Sequence, residues 1–152
     1  MQITLETDYA VRIMEALTRE GKRLDAKTIS ERTHVPQRFA LKILRKLVAD
    51  NLVKSYKGIS GGYELARCPG KITLLEVIES VEGTYRISRC QGEEYCCELG
   101  DCRFHKIYGE ITEMVRKKLQ SYTFAAICSP AAENPCGGCS QCDSGGKPIS
   151  DK

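Results

Sequence analysis

The chain has 152 residues, 41% of them hydrophobic and 28% charged, with a net charge of +3; that suffices for one modest core with an attached helix and excludes a large multidomain enzyme. No apolar run reaches the roughly 18 residues of a membrane span, and the opening MQITLETDYA carries acids where a signal peptide carries basic and hydrophobic residues, so a soluble cytoplasmic protein with no membrane partner is expected. The charge is uneven: residues 1–67 hold 13 Lys and Arg against 8 Asp and Glu, residues 68–152 hold 10 against 12, and the basic part is the one to examine for nucleic-acid contact.

From Thr7 to Arg19, Ala10, Ile13, Met14 and Leu17 recur at helical spacing, with Thr7 or Asp8 available as N-cap and Gly21 as a stop. After the basic link Gly21-Lys22-Arg23, Asp25 caps a second helix through Ala26, Ile29 and Ser30 that ends near Thr33-His34. Pro36 opens a third helix, whose apolar positions Phe39, Ala40, Ile43, Leu44, Leu47 and Val48 run to about Asp50-Asn51. Two short helices joined tightly, the second rich in Arg and Lys, outline a helix-turn-helix. Leu52 to Tyr56, the glycine-rich Lys57-Gly58-Ile59-Ser60-Gly61-Gly62 and Tyr63 to Ala66 then read as strand, turn and strand, the wing of a winged helix.

Six Lys and Arg face one acid between Pro36 and Lys57. Gln37, Arg38, Lys42, Lys57 and Gly61 are the DNA-binding candidates: the helix around Gln37, Arg38 and Leu41 suits the major groove, and the cations neutralise phosphates. Arg45, Lys46 and Lys54 equally well solvate an exposed face.

Cys68-Pro69-Gly70-Lys71 breaks the pattern, and Thr73 caps a helix with Leu74, Leu75, Val77, Ile78 and Val81 that Gly83 ends. Ser88 to Arg103 has no periodicity and reads as loop. From Phe104 to Ser121, Ile107, Tyr108, Ile111, Met114, Val115 and Leu119 return at helical spacing, and Thr123 caps a short helix through Ile127. The broad apolar face of the long helix requires cover, from its own domain or from a dimer partner. Beyond Ser129 the chain is rich in Pro, Gly, Ser, Asn and Asp, and residues 129–152 are expected to be a disordered, Cys-containing tail.

None of the nine cysteines precedes Cys68, and eight fall between residues 90 and 142, which fits a local device better than disulfides in a reducing compartment. The loop reads C-x5-C-x5-C-x2-H through Cys90, Cys96, Cys102 and His105. Thiolate sulfur is the soft ligand selected by iron–sulfur clusters and zinc, and a polar loop offers no core in which to bury three cysteines as small hydrophobes. Structural zinc favours tight C-x2–4-C pairs, which this loop lacks. Cys97 is a spare ligand beside Cys96, and Cys136, Cys139 and Cys142 form a separate C-x2-C-x2-C. No nucleophile–base set, phosphate loop or nucleotide fingerprint is visible, which argues against an enzyme. A metal-free cysteine redox switch is the other regulatory reading.

The opening Leu5-Glu6-Thr7-Asp8-Tyr9-Ala10, the Ile29-Ser30-Glu31 and Pro36 to Leu44 segments, the wing Gly58 to Tyr63 and the Cys-rich loop together resemble the family of iron–sulfur cluster regulators and nitric-oxide-sensing repressors with winged helices, over residues 1 to about 128. The resemblance implies a mainly α fold with a small β-hairpin wing and a long C-terminal dimerisation helix. Its parts are a winged helix-turn-helix over 1–67 and a cluster loop with dimerisation helix over 68–128. It further implies a homodimer that binds a double-stranded DNA operator, senses iron–sulfur status, redox state or nitric oxide, and receives its cluster from donor proteins. In the cluster-biogenesis branch three cysteines and a histidine hold a 2Fe–2S centre, corresponding to Cys90, Cys96, Cys102 and His105. In the nitric-oxide branch an Asp equivalent to Asp8 supplies a ligand from the other subunit to a 4Fe–4S centre, so Asp8 is the alternative fourth ligand. Leu41 stands where the first branch can place an acidic base-reading residue, so operator preference does not carry over.

Overall fold

The computed structural model describes residues 3–92 and 102–129, so Cys96, Cys97, the tail cysteines and the expected tail disorder lie outside the described residues. The elements are α1 (Leu5–Glu20), α2 (Ala26–Thr33), α3 (Gln37–Ala49), β1 (Val53–Tyr56), β2 (Gly62–Leu65), α4 (Leu74–Glu82), α5 (Arg103–Gln120) and α6 (Phe124–Cys128), with 3-10 turns at Pro69–Lys71 and Arg89–Gln91. This is the mainly helical, two-stranded winged architecture expected from the sequence.

Ala10, Ile13, Met14 and Leu17 of α1 are buried with Ile29 of α2 and Ala40, Ile43, Leu44 and Leu47 of α3, each large side chain contributing about 1.5–3 kcal/mol. The same cluster continues into Ile72, Val77, Val81 and Phe124, so one core joins the two halves of the chain. Asp25 and Thr73 cap α2 and α4 as expected, the latter in a full capping box with Glu76, and Gly21 ends α1.

Three local expectations are corrected. Thr4, not Thr7 or Asp8, caps α1; Thr7 is fully buried because its hydroxyl donates to Glu82 at the end of α4. Pro36 is the N-cap of α3 rather than its first helical residue, and its carbonyl accepts from the amides of Phe39 and Ala40. Phe39 remains 40% exposed, because the buried arc of α3 begins one residue later at Ala40; its ring meets Tyr9 edge-on at 6.3 Å.

β1 and β2 pair antiparallel, Val53 opposite Leu65 and Tyr56 opposite Gly62. The link after α1 extends this hairpin: the Leu24 amide donates to the Tyr63 carbonyl at 2.9 Å, and the Tyr63 amide returns the bond at 2.7 Å. A Cβ on Gly61 would lie 2.5 Å from the Tyr56 carbonyl oxygen, and one on Gly62, whose φ is +144°, 2.6 Å from that of Leu24. Both positions therefore require glycine to close the wing.

α5 carries two apolar seams. Tyr108, Thr112, Val115 and Leu119 are buried or half-buried, and α5 packs on α4, where Arg116 pairs with Glu79. Phe104, Ile107, Ile111 and Met114, spaced three, four and three residues apart, are exposed, Met114 by 70%. The chain then folds back: the Leu74 amide donates to the Tyr122 carbonyl at 2.9 Å and the Phe124 amide to the Ile72 carbonyl at 3.0 Å, which seats Phe124 in the core.

Candidate nucleic-acid interface and ligand loop

The α2–α3 turn is closed by His34 in the left-handed region at φ +55°, and α3 then presents its first turn to solvent. Gln37 and Arg38 are exposed there, and no side chain caps the helix, so its first amides are open to an anion at the positive end of the helix dipole. Arg38, Arg45, Lys54 and Lys57 make no ion pair among the described residues. Lys42 and Lys46 differ: both reach back to Glu6 of α1, at 3.2 and 3.1 Å from Oε1, and Lys46 also donates to the Val81 carbonyl at 2.9 Å. Oε1 of Glu6 receives no well-aligned hydrogen bond and is balanced by the two ammonium charges instead. Burial pushes the Glu6 carboxyl up, but Lys46 and Lys42 outweigh it and hold the group below its usual range.

The wing is braced from outside the hairpin. The Arg23 guanidinium lies 3.5 Å from the centre of the Tyr56 ring, donates to the Ser60 carbonyl at 3.2 Å and pairs with Glu64 at 3.5 Å. Lys57 and the fully exposed Ile59 therefore sit on a supported tip, with Gly61 acting in the turn. Arg23, read from sequence as part of a basic link, is a structural strut, and no local pattern announces it.

The described cysteines fall into two kinds. Cys68 is buried, and the half-buried Cys128 thiol is pushed up by burial and by the charge of Glu15, as expected of packing residues. Cys90 and Cys102 are half-exposed free thiols flanking residues 93–101. Cys90 sits in the turn Arg89–Gln91, whose Gln91 Oε1 accepts from the Ile87 amide at 3.1 Å and from the buried Thr112 hydroxyl at 2.9 Å. Cys102 is the N-cap of α5, and its carbonyl accepts from the amide of His105 at 3.1 Å, which places His105, exposed, one turn along. No group of three potential metal-holding side chains occurs among the described residues, which do not include Cys96.

Asp8 lies far along the chain, in the first turn of α1, paired with Arg12 at 2.8 Å. Its neighbour Thr7 and the cap Thr4 both donate to Glu82, the latter hydroxyl at 2.7 Å, and these bonds hold the Glu82 carboxyl below its usual range. Residues 6, 7 and 8 thus contact α3, α4 and solvent in turn. Glu6, Arg23, Glu82, Gln91 and Thr112 escaped sequence reasoning, since each acts through a partner distant in the chain.

No helix among the described residues is long and apolar enough to cross a membrane. Residues 3–130 match the model of the Rrf2 family, described as iron-dependent transcriptional regulators. The chain is 32% identical over 129 residues to the HTH-type transcriptional regulator IscR of Xenorhabdus nematophila, covering 84% of this chain and 79% of that one. It is 25% identical over 142 residues to protein rrf2 of Nitratidesulfovibrio vulgaris, covering 91% and 95%. Among solved structures, CymR, the global cysteine regulator of B. subtilis, superposes with a TM-score of 0.71 at 22% identity, covering 84% of this chain and 96% of that one. IscR of T. potens does so at 0.67, also 22% identical, with 84% and 85% covered. These two likenesses carry the fold. The match across all the described residues places the chain in the Rrf2 family of DNA-binding transcriptional regulators, which are not enzymes.

Proposed function

We propose that this regulator is a homodimer whose DNA affinity is governed by an iron–sulfur cluster held by Cys90, Cys96 and Cys102. A 2Fe–2S centre completed by His105 is the favoured form, and a 4Fe–4S centre completed by Asp8 of the partner subunit is the alternative. The carrying observation is the contrast among the cysteines: Cys68 is packed away, whereas Cys90 and Cys102 are free, partly exposed thiols on anchored backbone on either side of residues 93–101. The donor set fits the group, since three soft sulfurs and an imidazole one turn from Cys102 are available. Bound there, a cluster would supply a centre reactive to oxidants and nitric oxide.

The protein's own residues have separable roles in this reading. Gln91 and Thr112 fix the backbone of Cys90 against α5. Cys102 sits at the start of α5 as its N-cap residue, so its backbone is fixed by the helix. Phe104, Ile107, Ile111 and Met114 follow the spacing of a two-helix seam and would be covered by the partner's α5. Residues 1–67 contact the operator, with Gln37, Arg38, Lys42, Lys57 and Gly61 at the interface, and residues 68–128 sense and dimerise. The Thr7–Glu82 and Lys46–Val81 bonds join α4, which leads into the ligand loop, to α1 and α3.

The test is a gel shift on the protein's own upstream DNA, comparing anaerobically reconstituted full-length protein with the variant in which Cys90, Cys96 and Cys102 are all Ala. Different affinities, with both weakening steeply as salt rises, are expected. Identical binding by an iron-free, colourless protein would overturn the proposal. Oxidant-sensitive binding without charge-transfer absorbance would instead establish the metal-free thiol switch.

A further inference from the structure

α3 does not offer its cations equally. Arg38, Lys42 and Lys46 recur every four residues and share one side of the helix, yet only Arg38 of the three is without an ion pair among the described residues. Lys42 Nζ lies 3.2 Å from Glu6 Oε1 and 3.3 Å from Oε2, so the carboxylate faces the amine with both oxygens, as a phosphate would. The Glu6 side chain is only 26% exposed, whereas that of Lys42 is 59% exposed and able to swing outward. Lys46 is held on a second side by the Val81 carbonyl and stays with the core.

We propose that Glu6 is a positioning residue that occupies Lys42 in place of a DNA phosphate, so that an internal carboxylate competes with the DNA backbone for the charge of α3 and lowers sequence-independent affinity. Contacts with base edges are untouched by this competition, so the clamp lowers affinity by a similar factor for every sequence. The inference rests on α3 meeting the DNA.

The test uses the full-length purified protein and a random-sequence double-stranded oligonucleotide, with binding followed by fluorescence anisotropy across a salt series. Glu6→Gln should bind several-fold more tightly at moderate salt, and the slope of log affinity against log salt should steepen by about 0.9, the increment for one added phosphate contact. Lys42→Ala should remove that whole increment in the Glu6→Gln background and less than half of it in the unmodified chain. An unchanged slope in Glu6→Gln, or an equal loss from Lys42→Ala in both backgrounds, would overturn the proposal. Arg38→Ala separates the two levels of inference: if it lowers the slope while Glu6→Gln does nothing, only the clamp fails; if neither changes it, the assignment of α3 to DNA fails as well. Should Glu6→Gln not fold, the unmodified chain still decides: without DNA, Lys42 should acylate several-fold more slowly than Lys57, and equal rates would refute the clamp.

Discussion

The hydroxyl of Thr112, buried in the middle of α5, donates to Gln91 Oε1 at 2.9 Å, and the same oxygen accepts from the amides of Ile87 and Ser88 at 3.1 and 3.3 Å. One side-chain oxygen thus ties the Cys90 turn to the long helix and to its own flanking backbone. Thr112→Val keeps the volume and removes the donor, at a cost of about 1 kcal/mol, small because Gln91 retains two amide donors. The expected outcome is a thermal midpoint only a few degrees lower but several-fold faster loss of iron from the proposed cluster to a chelator under anaerobic conditions. Equal rates in the two proteins would show that this anchor does not serve the ligand loop.

Arg23 supports the wing through three different groups, the Tyr56 ring, the Ser60 carbonyl and the Glu64 carboxylate. Each contact is exposed and worth at most about 1 kcal/mol, so Arg23→Ala should leave the fold intact. It should nonetheless weaken operator binding several-fold by freeing the wing tip. Arg23→Lys keeps the charge but not the planar stacking, and is expected to fall between the two. Gel shifts beside circular dichroism distinguish this from unfolding.

Acid should destabilise the fold through carboxylates that are held ionised. Burial pushes the Glu76 carboxyl up, but the Thr73 amide and the Arg67 guanidinium at 2.9 Å outweigh it; for Glu82 the Thr7 and Thr4 hydroxyls act in the same direction. Because both values are lower folded than unfolded, their stabilisation is complete above the ordinary value of 4.5 and is lost as pH falls from there through the folded values. Thermal melts of the cluster-free triple Cys→Ala variant, which avoids ligand protonation, should be level at higher pH and decline below that point. Glu76→Gln preserves the capping geometry, so it should lower neutral-pH stability by less than about 1 kcal/mol while making the acid decline shallower. A decline as steep as in the parent would contradict the role given to Glu76.

Local chemistry made much of the fold readable in advance. Ala10, Ile13, Met14 and Leu17 are buried as their spacing requires, Asp25 and Thr73 cap their helices, and the glycines of the wing stand where the backbone has no room for a Cβ. What was not readable depends on distance in the chain. Thr7 looks like a cap until α4 brings Glu82 beside it, Arg23 looks like a linker until β2 pairs with Leu24, and Lys42 looks like a free phosphate contact until α1 delivers Glu6. Phe39 follows the helical period yet lies at the margin of the buried arc, because the packing of α1 on α3, not the period alone, sets where that arc begins. The spacing of the Cys-rich segment singles out Cys90, Cys102 and His105 as proposed ligands, but nothing local marked Gln91 and Thr112 as the groups that hold the turn around Cys90 in place.

The proposed cysteine-held cluster is tested most directly by anaerobic Mössbauer and absorption spectra of the reconstituted full-length protein beside its His105→Ala, Asp8→Ala and triple Cys90, Cys96, Cys102→Ala variants. A cluster spectrum in the unmodified chain, lost in the triple variant and altered by His105→Ala but not by Asp8→Ala, is the predicted result. The same iron spectrum in the unmodified chain and in the triple variant, or no bound iron in either, would contradict it.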